Sequence, residues 1–203
     1  QEIQLLSATL QTNASETAVT ISGSVLSKHY DALMALVTEV LLSPRFDEAE
    51  FALAKDDVIN QIEQIKANPN AIAAAEFKAL LYGNAHPFAQ TPLGEKESVT
   101  AISLDDVKAF YWKNISPSLA KFHVVGDIEP SAVKQALVTL NSAWVPKKVS
   151  LPNVSEPSLP ETSQLFFYDV PDAKQSVLYF GHAGPKATHS DAYLASVMNY
   201  RLG

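Results

Sequence analysis

Three observations predict an α+β fold in which an antiparallel-rich sheet is packed on one face by helices. Residues 3–12 and 17–25 alternate apolar with small or polar side chains, as the two strands of an opening hairpin do. Four later stretches, 28–42, 47–67, 71–82 and 104–115, carry apolar residues at three- and four-residue spacings, as amphipathic helices do. A further alternating stretch, 119–125, runs into a helical one over 131–143, so strands and helices share one domain.

The hairpin reads IQLLSATLQT, then TAVTISGSV, turning through Asn13-Ala14-Ser15, with Val19, Ile21 and Val25 alternating with small or polar neighbours. Ser27 stands where it can cap the next helix. Leu33, Met34, Leu36, Val37, Val40 and Leu41 give that helix a broad apolar face, which ends before Pro44. Such a face reads as core rather than as a Met-lined ligand groove.

Asp47 followed by Glu50 has capping-box spacing, and Phe51, Ala54, Val58, Ile62 and Ile65 make the stripe of one long helix. Asn68-Pro69-Asn70 ends it. Asn70 can cap the following helix, whose Phe77, Leu80, Leu81 and Tyr82 suit a close-packed face stopping at Gly83. Residues 84–100 form a polar loop around His86-Pro87-Phe88; a lone histidine in such a loop is more often solvated or bonded to backbone than chemically active.

Ser103 with Asp106 three residues later opens the helix through Val107, Phe110, Tyr111 and Ile115, and Asp105 and Asp106 suit the positive end of its dipole. LAKFHVV at 119–125 alternates as a strand and stops at Gly126-Asp127. One glycine without G-x-G-x-x-G or G-K-[ST] is a turn and no phosphate loop. Pro130 begins the last helix of the first domain, at a position where a missing N–H is harmless.

Domain 1–145 is then followed by a Pro-rich linker over 146–163, without either period. Beyond it, QLFFYDV (164–170) and SVLYFG (176–181) are β-prone and 190–202 reads as a helix. Residues 164–203 thus restart a strand-strand-helix order, as the truncated start of a second, similar domain.

A net charge of −7 supplies no electrostatic reason to bind nucleic acid or an anionic membrane. No apolar run approaches the roughly 20 residues of a membrane span, and QEIQLLSATLQ lacks a signal-peptide layout. The absence of cysteine removes any disulfide framework, thiolate zinc site or thiol nucleophile, and leaves the redox compartment open.

Four pieces, in order and at matching spacing, resemble the pitrilysin or insulinase-type (M16) metallopeptidases, the family that includes the mitochondrial processing peptidase. They are LLSPRFDEAEFALAKDDVINQIE; LLYGNAHPFAQTPLGEKESVTAISLDDVKAFYWKNISPSLAKFHVVGDIEP; AKQSVLYFGHAG; and MNYRLG. The resemblance implies the fold of that family's domains. It also makes MNYRLG the beginning of a MNYxLGGG-type segment, so that the C-terminus reads as a cloning or proteolytic boundary.

Active members carry H-x-x-E-H, two zinc-binding histidines around a glutamate base, and a third ligand glutamate on a later helix in a pattern like E-R-x-V-I-x-x-E. On this chain that pattern falls on residues 55–62, placing Lys55 at the supporting acid and Ile62 at the ligand. Isoleucine cannot bind zinc. Glu63 lies one residue on, which turns it by roughly 100° onto another face, where it reads as a solvated helix residue. None of the contexts HYDAL, HPFAQ, HVVGD, HAGPK and HSDAY begins an H-x-x-E-H, and no two histidines stand one helical turn apart. No catalytic or metal residue is therefore expected; Lys55 and Ile62 are degenerate ligand positions, and Glu63 and His86 are the remaining candidates.

The resemblance implies a non-catalytic, peptidase-like domain of a zinc metalloendopeptidase, with zinc in the catalytic half and none in this part. That half, on the same chain or on a partner subunit, would close a peptide chamber with it. Because the family also includes core subunits without peptidase activity, a structural or partner-binding module is the alternative. A third reading is a working hydrolase with ligands drawn from His29, His86, His123, His182 and His189, although His123 on an apolar strand reads as an interior or sheet-face side chain. An exported bacterial protein of the periplasm or cell envelope fits the resemblance, while composition is equally compatible with cytosol.

Overall fold

A short helix, α1 (Glu2–Leu5), precedes an antiparallel hairpin of β1 (Thr9–Ala14) and β2 (Val19–Ser24), in which Thr9 pairs with Ser24 and Ala14 with Val19. In this computed structural model, which describes residues 2–154, 162–171 and 174–201, the expected α+β class holds: helices predominate and accompany a small antiparallel sheet. The hairpin lies later in the chain than the alternation implied. Residues 3–8 have no strand opposite them once β2 ends at Ser24, so they cannot join the ladder, and 2–5 coil instead. The turn forms around Ser15, whose N–H donates to Ala18 O at 2.9 Å while its Oγ accepts from Ala18 N at 3.2 Å.

The chain divides into two compact units, one of residues 1–60 and 92–153, the other of 61–91 and 154–203. The long helix α3 (Glu48–Lys66) passes from the first to the second between Asn60 and Gln61.

In the first unit, α2 (Tyr30–Leu42) buries Leu33 and Met34 and packs with a later helix, Pro130–Ala143, which buries Leu140. Met34 is thus core. Ser27 lies inside a 3₁₀ turn, Ser27–His29, and no side chain caps either that turn or α2. Gly23 brings β2 close to its surroundings, since a Cβ there would stand 2.7 Å from Thr9 O and 3.5 Å from Leu33 Cδ2. Beyond α2, Phe46 adopts φ +46°, unusual for a bulky residue. Its ring is held edge-on by Tyr111 at 5.6 Å and Trp112 at 6.2 Å, contacts that offset the strain. Tyr111 also donates from its hydroxyl to Leu41 O at 3.0 Å, satisfying a carbonyl that the end of α2 leaves open.

Leu119 ends a 3₁₀ turn, Pro117–Leu119, and residues 120–125 join no ladder among the described residues. The same is true of 164–170 and 176–181. A β-prone stretch is one that fits a pleated, half-buried surface, and it becomes a strand only against a second one.

The second unit is organised on α4 (Pro69–Tyr82). Its N-cap is Asn68 rather than Asn70: Asn68 Oδ1 accepts from Asn70 N at 3.0 Å and Ala71 N at 3.4 Å, while Pro69 takes the first helical position. Gly83, at φ +80°, ends the helix. Phe77 packs on Tyr179 with ring centroids 5.9 Å apart, and Gly181 lies so near that a Cβ would reach 3.2 Å from Phe77 Cζ. Tyr168 is hydrogen-bonded to the Glu76 carboxylate, which raises its phenol pKa. Residues 155–161 of the expected linker lie outside the described residues.

Candidate functional site

Lys55 and Ile62 are separated by seven residues on α3, close to two whole turns, and so belong to one helical face. Asp47 starts that helix, its Oδ1 accepting from Ala49 N at 2.9 Å and Glu50 N at 3.0 Å.

Lys55 is engaged as a cation. Its ammonium donates to Thr100 O at 2.6 Å and Ile102 O at 2.8 Å, the carbonyls at the end of the short helix α5 (Lys96–Ala101), and stands 5.8 Å from the Phe51 ring centroid. A carboxylate at this position would meet those oxygens with like partial charge. The residue type and its partners are both the inverse of what a metal-supporting acid requires.

Ile62, only 4% exposed, is the least exposed apolar residue among those described. It serves as core and has no donor atom. Glu63, the next residue, is exposed.

His86 ties down its own loop. Its Nδ1 accepts from Phe88 N at 3.1 Å and so caps the 3₁₀ turn Pro87–Ala89, and its ring stacks on Tyr82 at 5.0 Å. With Nδ1 an acceptor, the neutral ring carries its proton on Nε2. His189 makes the same bond to Asp191 N at 3.1 Å, and His182 Nδ1 lies 2.8 Å from Ala183 O. His123 is exposed on unpaired chain, not on an interior or sheet face.

Among the described residues, no three His, Cys, Asp or Glu side chains come together as a metal-binding group. Ile62 and Lys55 do not fit zinc, because one is aliphatic and the other a bonded cation.

An open groove of 530 Å³ in the first unit has Val40, Phe46, Phe51 and Leu104 among its apolar walls and Glu39 and Arg45 among its polar ones. Its floor includes the α3 cap residue Asp47, and its chemistry is that of contact rather than nucleophilic attack.

Lys55's role was invisible in the sequence, since its partners are main-chain oxygens that leave no residue signature. A Ser-Pro-Ser sequence at 116–118, which carries no motif, forms a polar cluster with Lys147.

Residues 101–203 match the family described as "Peptidase M16 inactive domain". A Helicobacter pylori protein described as "Non-peptidase homolog YmxG" is 25% identical over 205 residues, covering all of this chain and 46% of that protein. A Bacillus subtilis protein described as "Uncharacterized zinc protease YmxG" is 22% identical over 179 residues, 88% of this chain and 42% of the relative. The crystal structure of a peptidase M16 inactive domain from Pseudomonas fluorescens superposes with a TM-score of 0.71 at 27% identity, covering 78% of this chain and 39% of that one. A protease structure from Helicobacter pylori is alike in fold, with a TM-score of 0.68 at 20% identity over 76% of this chain and 38% of that one. The chain spans less than half the length of these relatives. With residues 101–203, more than half of the chain, matched, the chain belongs to the peptidase M16 inactive-domain family.

Proposed function

We propose that this chain is the non-catalytic, peptidase-like part of a zinc metalloendopeptidase, and that it helps to enclose a peptide substrate opposite a catalytic half. The single observation that carries the reading is the state of the ligand face on α3: Lys55 donates to main-chain carbonyls and Ile62 is core. A domain that keeps the fold while filling its metal positions with structural side chains is suited to surround a substrate and not to cleave it. Zinc then belongs to the catalytic half, on the same polypeptide or on a partner subunit.

The boundaries 1–145, 146–163 and 164–203 are part of this proposal. In support, the chain leaves one compact unit for the other between Asn153 and Val154, within the proposed linker. An envelope or periplasmic location is proposed on the family resemblance alone.

The test is reconstitution. The chain and the H-x-x-E-H-bearing half of its parent or partner are purified separately and mixed, and cleavage of a quenched fluorescent peptide library is followed. Activity that requires both, with zinc found only in the catalytic half, is the expected outcome; full activity from the catalytic half alone would defeat the chamber role.

A second reading is a structural or partner-binding subunit without peptidase activity. It is favoured by the similarity, over the whole chain, to a relative described as a non-peptidase homologue. Stable association with a partner half that itself lacks H-x-x-E-H would decide for it.

A further inference from the structure

Ser116 is a buried polar residue, 5% exposed, and it faces main chain from 31 residues away. Its Oγ accepts from Lys147 N at 3.1 Å. Ser118 Oγ donates to Lys147 O at 2.8 Å, and the two hydroxyl oxygens lie 3.0 Å apart. Ser116 Oγ also stands 3.0 Å from Lys147 O and accepts from Ser118 N at 3.4 Å. Each hydroxyl has one proton, and Lys147 O, with two lone pairs, can accept from both Ser116 and Ser118. Both polar main-chain groups of Lys147 are then paired, as a neighbouring β-strand would pair them, by two side chains instead. Pro117, at the first position of the 3₁₀ turn Pro117–Leu119, restricts the chain between the two hydroxyls.

The cluster lies wholly within the first compact unit, just after the helix Pro130–Ala143. Trp144 still bonds back to Leu140 O at 2.9 Å, so the next fixed point after that helix is Lys147. Lys147 is half-buried and Lys148 is exposed.

We infer that Ser116-Pro117-Ser118 is a latch that clamps the main chain at Lys147, so that the chain leaving the preceding helix is held a second time, three residues after Trp144. The latch consists of side-chain hydroxyls on one side, and Ser118 is exposed, so it can release without unwinding a helix. Release would free residues 145–147, at most about 10 Å of extended chain.

Amide exchange and limited trypsin digestion of the whole chain test this. The Lys147 amide is expected to exchange at least tenfold more slowly than in unstructured chain. Ser116→Ala should abolish that protection while amides within Pro130–Ala143 keep theirs. Ser118→Ala, at an exposed position and therefore safe for folding, should leave the Lys147 amide largely protected yet raise tryptic cleavage after Lys147 or Lys148 at least threefold. Unprotected Lys147 in the wild-type chain, protection that survives Ser116→Ala, protection lost equally along the whole 130–143 helix, or a cleavage rate unchanged by Ser118→Ala would each overturn the latch.

Discussion

The ammonium of Lys55 donates to the carbonyl oxygen of Ile102 at 2.8 Å, joining the middle of α3 to the end of α5. Charge-assisted bonds of this kind contribute more than neutral ones, less when half exposed, so Lys55→Met should destabilise the fold by about 1–2 kcal/mol. Lys55→Glu should destabilise it at least as much, because a carboxylate would oppose the same oxygens. Urea unfolding of the two variants checks this, and a Lys55→Glu variant as stable as wild type would show that the two bonds contribute nothing.

Zinc should not bind stoichiometrically. Ile62 has no donor atom, Lys55 is a bonded cation, and no three His, Cys, Asp or Glu side chains come together among the described residues. Metal analysis after dialysis against chelator is expected to find well under one zinc per chain. About one tightly held zinc would instead promote His86 or Glu63 and remove the basis of the inactive-domain reading.

Tyr30 should be replaceable at no cost. Its hydroxyl is buried without a hydrogen-bond partner among the described residues, and its phenol pKa is raised, first by burial and then by the Asp31 carboxylate. An unpaired buried hydroxyl carries a desolvation penalty, so Tyr30→Phe should be neutral or stabilising by up to about 1 kcal/mol. The raised pKa has a definite sign: the neutral phenol is favoured in the fold, and its contribution, complete below the ordinary value of 10.0, is lost as pH rises through the higher folded value. Wild type should therefore weaken more than Tyr30→Phe above pH 10, as thermal melts across that range will read. A loss of more than about 1 kcal/mol in Tyr30→Phe at neutral pH would mean that the hydroxyl is satisfied.

The helix α6 (Leu104–Asn114) carries the acid-sensitive cap. Ser103 Oγ donates to Asp106 Oδ2 at 2.5 Å, Ser103 N donates to the same oxygen at 2.9 Å, and Asp106 N donates back to Ser103 Oγ at 3.1 Å. The side-chain bond first, and the backbone bond second, hold the Asp106 carboxyl below its ordinary 3.8. A depressed carboxyl stabilises the fold above the unfolded value and loses that effect as pH falls through the folded one, so the cap should weaken below about pH 4. An NMR titration should give Asp106 a midpoint under 3.8 in wild type and near 3.8 in Ser103→Ala. Equal midpoints in the two proteins would contradict the box.

Helices were legible because each carries its own boundary chemistry. Ser103 and Asp106 mark one start, Pro130 marks another, and the stripe from Phe51 to Ile65 spans what is observed as Glu48–Lys66. Where two caps competed, the choice failed: Asn68 and Asn70 flank Pro69, and only Asn68 leaves the proline at the position that needs no N–H. Strands were less legible, since 119–125, 164–170 and 176–181 show β propensity, which does not name a ladder partner. The face of α3 that carries Lys55 and Ile62 was half legible. Ile62 stood in the apolar stripe and is core, but the bonds of Lys55 run to carbonyls 45 and 47 residues away, a pairing fixed by tertiary structure alone.

Phe77 should govern how firmly residues 164–181 are held. A piece of roughly 40 residues cannot bury enough apolar surface to be stable alone. Leu165 and Phe167 are about 90% exposed, and Leu178 and Phe180 more than 75%. The contacts that tie this piece to α4 include the Phe77–Tyr179 ring pair, the close approach of Gly181 to Phe77, and the bond from Tyr168 to Glu76. Phe77→Ala removes two of the three. At about 1–2 kcal/mol lost in local attachment, opening of the segment should become roughly ten times more frequent. Chymotrypsin should therefore cleave after Leu178, Tyr179 and Phe180 about tenfold faster in Phe77→Ala, with sites around Leu33 and Leu140 unaffected. If cleavage at 178–180 stays at the wild-type rate, Phe77 is not what holds this segment on α4.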